Sequence, residues 1–298
     1  MTTYTAMNLP GNGTGDTTGY RSELNSTLEM MTNAGWVRTA DTGQLNFDTV
    51  VKSGTVSYVY GYSMYYFNDS QHSTFPIYLK LIHTNSTGVY FETKAEIGHA
   101  TDGVGNLMGW KYPWTATDFG IKTASSSAYY YTAGSLSIAS WGNGYSYFHK
   151  NMGTNSDGGT FVGLQREWDD STGAVKTGGN YTIYYNKIGA SVVSALSVIR
   201  AESRYLSTTN SGFCMVPYGR TTSWSVNNAD IHRHYHPYPL LTPSGVFCTY
   251  LSPDINVGTT FSTQLLTGGS ARTFIATGVD RTSVGYQQIT HRLAVLWE

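Results

Sequence analysis

Residues 55–67, TVSYVYGYSMYYF, decide the fold class of this 298-residue chain. β-Branched and aromatic side chains fill the stretch, and such residues lose rotamer freedom in a helix but pack well on the pleated surface of a sheet. Comparable runs recur along the chain, with glycine, asparagine and serine between them. Short strands at this spacing predict a mainly β protein with an antiparallel β-sandwich or jelly-roll-like architecture.

Three further segments each place two strand-like runs on either side of a turn sequence, which is the pattern of a β-hairpin. They are residues 77–97 around Asn85-Ser86-Thr87-Gly88, residues 136–149 around Gly142-Asn143-Gly144, and residues 161–185 around 169–173. A last strand is predicted over residues 292–297. Residues 191–199, SVVSALSVI, fit either a buried strand or a short helix.

One short helix is predicted near the start of the chain, before the strands begin. Leu24, Leu28 and Met31 recur at helical spacing behind the glycine-rich stretch GNGTGD, and Gly35 supplies a C-terminal stop. We expect two domains: a helix-plus-β module over residues 1–125 and a larger β-sandwich domain over residues 126–298. The stretch 150–159, KNMGTNSDGG, is an alternative boundary that also fits a long hairpin loop.

The composition predicts a surface with few charges. Charged residues make up 12% of the chain, about half the usual share, whereas tyrosine occurs 24 times. Low charge weakens the repulsion that keeps proteins monomeric, and tyrosine joins a large apolar ring to one polar tip. Both features favour a protein that functions as part of an assembly.

The same composition argues against two classes of partner. The net charge is −1 and no basic stripe occurs, so nucleic acid is not expected to bind. No apolar run is long enough for a membrane span. The N-terminal sequence MTTYTAMNLPGNGTGD lacks the basic and apolar regions of a secretory signal, which predicts a protein made in the cytoplasm.

No local motif supports catalysis. Neither a nucleophile elbow of the Gly-x-Ser-x-Gly kind nor a phosphate-binding loop occurs. Sugar hydrolysis needs two carboxylates across a cleft, and the candidates are Glu92, Glu96, Asp102, Glu167, Asp169 and Asp170. Ordinary strand and turn charges explain the same residues, so we predict no catalytic residue, no cofactor and no enzymatic activity. A polysaccharide-degrading enzyme is the alternative.

Residues 231–239, IHRHYHPYP, are the sharpest local feature. Alternate side chains of an extended chain point the same way, so three imidazoles could meet one metal ion or surround a symmetry axis. The histidines are His232, His234 and His236, with Asp230 and His149 as further candidate ligands. A polar strand at a protein interface, held extended by its prolines, explains the pattern as well. We therefore assign no metal ligand.

Cysteines and tryptophans also admit two interpretations each. Cys214 and Cys248 lie in apolar runs and are predicted to be buried free thiols, with a disulfide or a metal clip as the alternatives. The aromatic stretches 110–114, WKYPW, and 141–148, which begins with Trp141, could stack on sugar rings. Packing in a core or between subunits explains the same side chains.

The N-terminal third, roughly residues 20–110, resembles virion structural proteins of tailed bacteriophages. The resemblance rests on several short motifs that occur in the family's order. They are Gly35-Trp36-Val37, TADTGQLN at 39–46, Gly61-Tyr62, Phe67-Asn68-Asp69, PIYLKL at 76–81, and Gly98 followed by TDGVGNL at 101–107.

What the resemblance implies is a tail, baseplate or collar component present in several copies of the virion, with residues 1–125 as the attachment module. Its partners would be copies of itself and other virion proteins. The family supplies no catalytic residues. A carbohydrate- or host-receptor-binding tail protein, with a host surface glycan as its partner, is the first alternative.

Overall fold

The structure is a computed structural model. It describes residues 5–8, 17–53, 55, 58–85, 91–108, 112–113, 120–122, 136–150, 160–169, 172, 174–186, 196–202, 205–207, 238–242, 245–251, 259–263, 271–282 and 289–297. Among these residues the strands pair only in the antiparallel sense. The chain is therefore mainly β, as the sequence predicted, and its described residues include one helix, near the N-terminus.

The helix is α1, Thr17–Asn33. The strands are β1 Thr5–Asn8, β2 Trp36–Arg38, β3 Val59–Phe67, β4 Tyr78–Asn85, β5 Phe91–Gly98, β6 Ala100–Thr101, β7 Leu107–Met108, β8 Tyr112–Pro113, β9 Gly120–Lys122, β10 Leu136–Gly142, β11 Tyr145–Lys150, β12 Thr160–Arg166, β13 Trp168–Asp169, β14 Ala174–Val175, β15 Tyr181–Asn186, β16 Leu196–Glu202, β17 Tyr205–Ser207, β18 Tyr238–Thr242, β19 Gly245–Leu251, β20 Thr260–Thr263, β21 Arg272–Thr282 and β22 Ile289–Leu296.

Helix α1 buries one face against the sheets. Tyr20, Leu24 and Met31 recur at helical spacing and are almost inaccessible to solvent. The chain turns out of the helix at Gly35, whose φ of 81° lies in the left-handed region that strains other residues. The predicted helix and its stop are confirmed. Among the described residues, no helix combines the length and the apolar character needed to cross a membrane.

The first sheet has the strand order β2-β3-β4-β5-β8, and β9 also pairs with β5. Strands β4 and β5 form the first predicted hairpin, in which Leu81 lies opposite Ala95. Alternate residues of β3 and β4 point into the core, among them Tyr65, Phe67 and Leu79. Residues 59–67 of the aromatic stretch that decides the fold class thus form a strand of this sheet.

The second sheet has seven strands in the order β1-β10-β11-β12-β15-β16-β17. The other two predicted hairpins are confirmed: β10 pairs with β11 and β12 pairs with β15. The two-stranded ribbon β13-β14 lies within the second of these connections. Residues 196–199 of the ambiguous stretch belong to strand β16, whereas residues 191–195 lie outside the described residues.

The third sheet has the order β18-β19-β22-β21-β20 and contains the predicted last strand. Strand β21 lies beside β10 and β11 of the second sheet, and two further contacts reach the second sheet and the β13-β14 ribbon. The Tyr145 hydroxyl donates to the carbonyl of Trp297 at 2.5 Å. The Arg272 guanidinium lies 4.1 Å from the centre of the Trp168 ring, a cation–π contact.

One core joins the first two sheets to the end of α1. It contains Met31 from the helix, Trp36 and Leu79 from the first sheet, and Phe148 and Ile183 from the second. The predicted domain boundary at residue 125 lies outside the described residues, and the division stays a prediction. Side chains from both sides of that boundary nevertheless share this core. The sandwich or jelly-roll architecture also stays a prediction.

Candidate functional site: the joint between the first two sheets

The loop formed by residues 68–76 connects β3 to β4 and begins with the motif Phe67-Asn68-Asp69. Asp69 starts a turn, because its carboxylate accepts from the backbone N–H of Gln71 at 3.2 Å and its carbonyl accepts from that of His72 at 3.1 Å. A second turn comes next, in which Phe75 N–H donates to the Gln71 carbonyl at 2.8 Å. Two successive turns therefore shape the loop directly after this motif.

An ion pair between Asp69 and Arg166 ties this loop to the end of β12. Arg166 Nε and Nη2 donate to the two carboxylate oxygens at 2.5 and 2.9 Å, and both side chains are 0% exposed. Nη2 also donates to the carbonyl of Phe75 at 2.9 Å. Since removing one partner of such a pair leaves a buried charge uncompensated, the two residues depend on each other.

We call the contacts between the 68–76 loop and the second sheet the joint. Besides the ion pair, it includes contacts to the loops that connect strands of the second sheet. The Ser70 hydroxyl and N–H both donate to the Asn143 side chain, at 2.5 and 3.2 Å. Gln71 Nε2 donates to the carbonyl of Lys176 at 2.8 Å. The ring of Phe75 lies against Gly179, where a Cβ would come within 2.5 Å of a ring carbon. Two connections of the second sheet, the β10–β11 turn and the β12–β15 connection, therefore meet one loop of the first.

Below the joint, Trp36 makes a second link between the sheets. Its indole N–H donates to the Ser146 hydroxyl at 2.9 Å, and that hydroxyl donates to the carbonyl of Ala34 at 2.6 Å. All three residues are buried. Trp141 lies beside this link, with its ring against Gly35. This packing is the role that the structure gives to Trp141, one of the tryptophans considered for sugar binding.

Two more motif segments, residues 39–46 and 101–107, bind each other on the first sheet. The Asp41 carboxylate accepts from the Thr101 hydroxyl and, at 3.2 Å, from the N–H of Gly105. Thr42 N–H donates to the carbonyl of Gly103 at 2.9 Å. The Tyr62 hydroxyl donates to the carbonyl of Thr42, which fixes this loop pair to β3.

Asp102 is an exposed residue of this loop pair, and its carboxylate accepts hydrogen bonds from residues of the same turn. Oδ1 accepts from the N–H groups of Val104 and Asn106 at 2.9 Å, and Oδ2 accepts from the Asn106 amide at 2.7 Å. The hydrogen bond from the Asn106 side chain is the largest cause that lowers the pKa of Asp102, followed by the backbone bonds.

A serine and a histidine face each other in the first sheet. His83 Nε2 lies 2.8 Å from the Ser63 hydroxyl oxygen, a distance typical of a nucleophile and its base. Both are buried, with exposures of 0% for Ser63 and 1% for His83, and the Phe47 ring lies edge-on to the imidazole. Burial lowers the pKa of His83 to about 3, so the ring is neutral at physiological pH. No substrate can reach this pair in the folded chain.

The candidate carboxylates fall at separate places. Glu167 accepts from Lys176 Nζ at 3.1 Å and from the Asn180 amide at 2.8 Å, so it holds the base of the β13-β14 ribbon. Glu96 lies in β5 and Asp169 in β13. Glu92 also lies in β5, but its side chain and the whole of Asp170 lie outside the described residues.

The candidate metal ligands are mostly outside the described residues, and their predictions stay open. These are Asp230, His232, His234, His236 and Cys214. His149 lies in β11 and Cys248 in β19, with side chains that are not described. Within the described part of the chain, no three His, Cys, Asp or Glu side chains gather as a metal site. Trp110 and Trp114 lie outside it as well.

Sequence reasoning missed the residue at the centre of the joint, Arg166. A signal existed: Leu164, Arg166 and Trp168 alternate on one strand path, and Leu164 is an inward-facing position. An arginine in such a register must find a buried partner or leave the sheet. The sequence did not show which of the chain's acidic residues would supply it.

No protein-family model, curated protein or solved structure matches this chain. The role of the chain is therefore inferred from the geometry of its own residues. In the described structure the motif residues Asp41 and Asp69 bind other parts of the same chain.

Proposed function

We propose that this chain is a structural protein of a tailed-bacteriophage particle, a tail, baseplate or collar component assembled in many copies. The observation that carries the proposal is a group of exposed apolar side chains on a protein with few charges. Val51 is 68% exposed, Val59 57% and Tyr58 46%. Apolar groups that cluster on a surface are typical of sites covered by a partner.

These side chains belong to one region. The Tyr58 ring contacts the Tyr60 ring with centroids 5.1 Å apart, and Tyr60 contacts buried Tyr20 at 4.6 Å. The Tyr60 hydroxyl accepts from the N–H of Ser53, two residues beyond Val51. A row of rings therefore runs from the core to the surface beside the exposed valines, and we call Val51, Tyr58 and Val59 the apolar region.

The tyrosine excess supports assembly less strongly than the sequence indicated. Among the tyrosines with described side chains, five are buried in the chain's own core and only Tyr58 is fully exposed. The buried five are Tyr20, Tyr65, Tyr145, Tyr147 and Tyr181. The low charge and the apolar region remain as support, together with the resemblance of residues 20–110.

Extensive bonding between loops also supports a structural role. A particle subunit must present the same shape in every copy, and the joint and the loop pair tie surface loops to fixed positions in the sheets. The motif residues contribute hydrogen bonds within the chain, as Asp69 does with Arg166. A motif that maintains shape is expected in a protein whose function is to be packed.

Mass determination of the purified chain by native mass spectrometry, and of purified particles, tests the proposal. We expect a stable oligomer and stoichiometric incorporation. Changing Val51 and Val59 to Asp should dissociate the oligomer without altering the circular dichroism spectrum, because carboxylates cannot be covered without a large desolvation cost. Thr260→Asp, an exposed position on β20, is the matched control and should leave the oligomer intact. A monomer that is absent from particles would contradict the proposal.

A further inference from the structure

The 68–76 loop carries a histidine at the joint. The His72 ring stacks on the Tyr66 ring, with centroids 4.3 Å apart and an interplanar angle of 25°, and lies 6.1 Å from the Tyr78 ring. Its Nδ1 atom is buried and has no hydrogen-bond partner in the described structure. The imidazole is thus held between strands β3 and β4 and the ion pair.

The charged groups near His72 leave little to stabilise an imidazolium. Asp69 is the carboxylate of the described residues that acts on His72, and both of its oxygens already accept bonds from Arg166. Arg166 contributes a positive charge of its own, and its Nη1 atom is buried without a partner. The remaining ring neighbours are the phenols of Tyr66 and Tyr78, and burial raises the pKa of Tyr78.

We propose that the 68–76 loop is an acid-sensitive latch, in which protonation of His72 loosens the loop's contacts with the second sheet while α1 stays folded. Protonation would make both ring nitrogens donors and add a positive charge to a ring whose pKa the Arg166 guanidinium already lowers. The bonds at stake are those of Asp69, Ser70 and Gln71 to the second sheet. The latch is a property of the single chain and does not require assembly.

The direction of the pH effect follows from the burial of the ring. Burial is the largest cause that lowers the pKa of His72 in the closed loop, Arg166 lowers it further, and Asp69 opposes both. A released imidazole titrates near its ordinary pKa of about 6.5, so the open loop binds a proton more tightly than the closed one. The latch is therefore closed above about pH 6.5 and opens progressively as the pH falls below it.

Two other described histidines respond differently. Of the three, opening the 68–76 loop exposes His72 alone. His83 lies inside the first sheet, and His99 Nε2 forms a hydrogen bond of 2.9 Å with the hydroxyl of buried Tyr181. Burial lowers the pKa of both residues, so acid also destabilises the whole fold through them. Protonation of His83, which is 1% exposed, requires the first sheet to open, and this costs more than releasing one loop.

Hydrogen exchange of the full chain, read by mass spectrometry and corrected for the intrinsic pH dependence of exchange, tests the latch. Between about pH 7.5 and about pH 5, we expect protection of peptides from the 68–76 loop to fall by up to about thirtyfold, the limit set by a released pKa of about 6.5. Peptides from α1 should keep their protection. Loss of protection in α1 in step with the loop would mean global unfolding and would overturn the proposal.

His72→Gln removes the titration and keeps a neutral polar side chain. In this variant the loop's protection should no longer depend on pH, and an unchanged dependence would also overturn the proposal. Thr74→Gln, an exposed position of the same loop, is the matched control and should behave like the wild type. If His72→Gln fails to fold, the wild-type chain still decides the matter: the imidazole proton resonance of His72 must titrate together with the exchange of the loop.

Discussion

The joint and the loop pair each depend on an aspartate from a sequence motif, but the two aspartates meet different partners. The side chain of Asp69 at the joint is inaccessible to solvent and faces a guanidinium, whereas Asp41 in the loop pair is a buried residue that faces a hydroxyl and an N–H group. A buried carboxylate can thus be stabilised by an opposite charge, as at Asp69, or by neutral donors, as at Asp41.

The two aspartates also differ in what they connect. Asp69 and Arg166 are 97 positions apart and belong to a loop of the first sheet and a strand of the second, whereas Asp41 and Thr101 are 60 apart and belong to a loop and to the short strand β6. Loss of Asp69 should therefore affect the packing of two sheets, and loss of Asp41 the order of two loops. If removing either aspartate side chain lowered the free energy of unfolding by the same amount, this distinction would be wrong.

The largest effect is expected for Asp69→Ala. The change leaves the Arg166 guanidinium buried without its counter-ion and should lower the free energy of unfolding by about 3–5 kcal/mol. Urea denaturation followed by tryptophan fluorescence measures it. The double change Asp69→Leu with Arg166→Met is the control, and it should be less harmful than Asp69→Ala because no buried charge remains.

A matched pair of glycines comes next. Gly179 at the joint and Gly103 in the loop pair have φ values of 74° and 80°, so alanine is strained to a similar extent at both, by about 1–2 kcal/mol. Gly179 also touches the Phe75 ring, whereas a Cβ at Gly103 would meet nothing within 4 Å. We expect Gly179→Ala to cost about 1–3 kcal/mol more than Gly103→Ala, the usual effect of overpacking. Equal midpoints in urea would show that the ring moves aside freely.

The sequence predicted the parts of this molecule that depend on neighbouring residues. The helix follows from the spacing of Leu24, Leu28 and Met31, and its end from Gly35, because both are local backbone effects. The hairpins follow from turn sequences such as Asn143-Gly144. Such steric preferences depend only on residues that are close in the sequence, so the sequence predicts them directly.

The pairing of sheets was not predictable in the same way. Nothing near Arg166 in the sequence indicates Asp69, and nothing near Trp36 indicates Ser146, 110 positions away. The sequence analysis identified the motifs that contain Asp41 and Asp69. It could not identify the partners of these two residues, because the partners come from distant segments of the chain. The buried pair of Ser63 and His83 was missed for the same reason.

Asp41→Ala is expected to have a moderate effect. It leaves the Thr101 hydroxyl and the Gly105 N–H without their acceptor, and such losses cost about 1–3 kcal/mol for buried groups. Asp41→Asn keeps one oxygen acceptor and should cost less. Hydrogen exchange should show faster opening of residues 101–107 with little change at the 68–76 loop. Loosening of both loops together would mean that the two regions form one cooperative unit.

The smallest effect is expected for Asp102→Ala, because its side chain is exposed and its bonds stay within one turn. Its pKa is lowered in the folded chain, so its contribution to stability is present at neutral pH and is lost as the pH falls below its ordinary value near 3.9. The urea midpoints of Asp102→Ala and the wild type should therefore differ slightly at neutral pH and coincide in acid. If the urea midpoints still differed in acid, the Asp102 side chain would stabilise the turn through its shape and not through its charge. This exposed carboxylate would then share the structural role of Asp41.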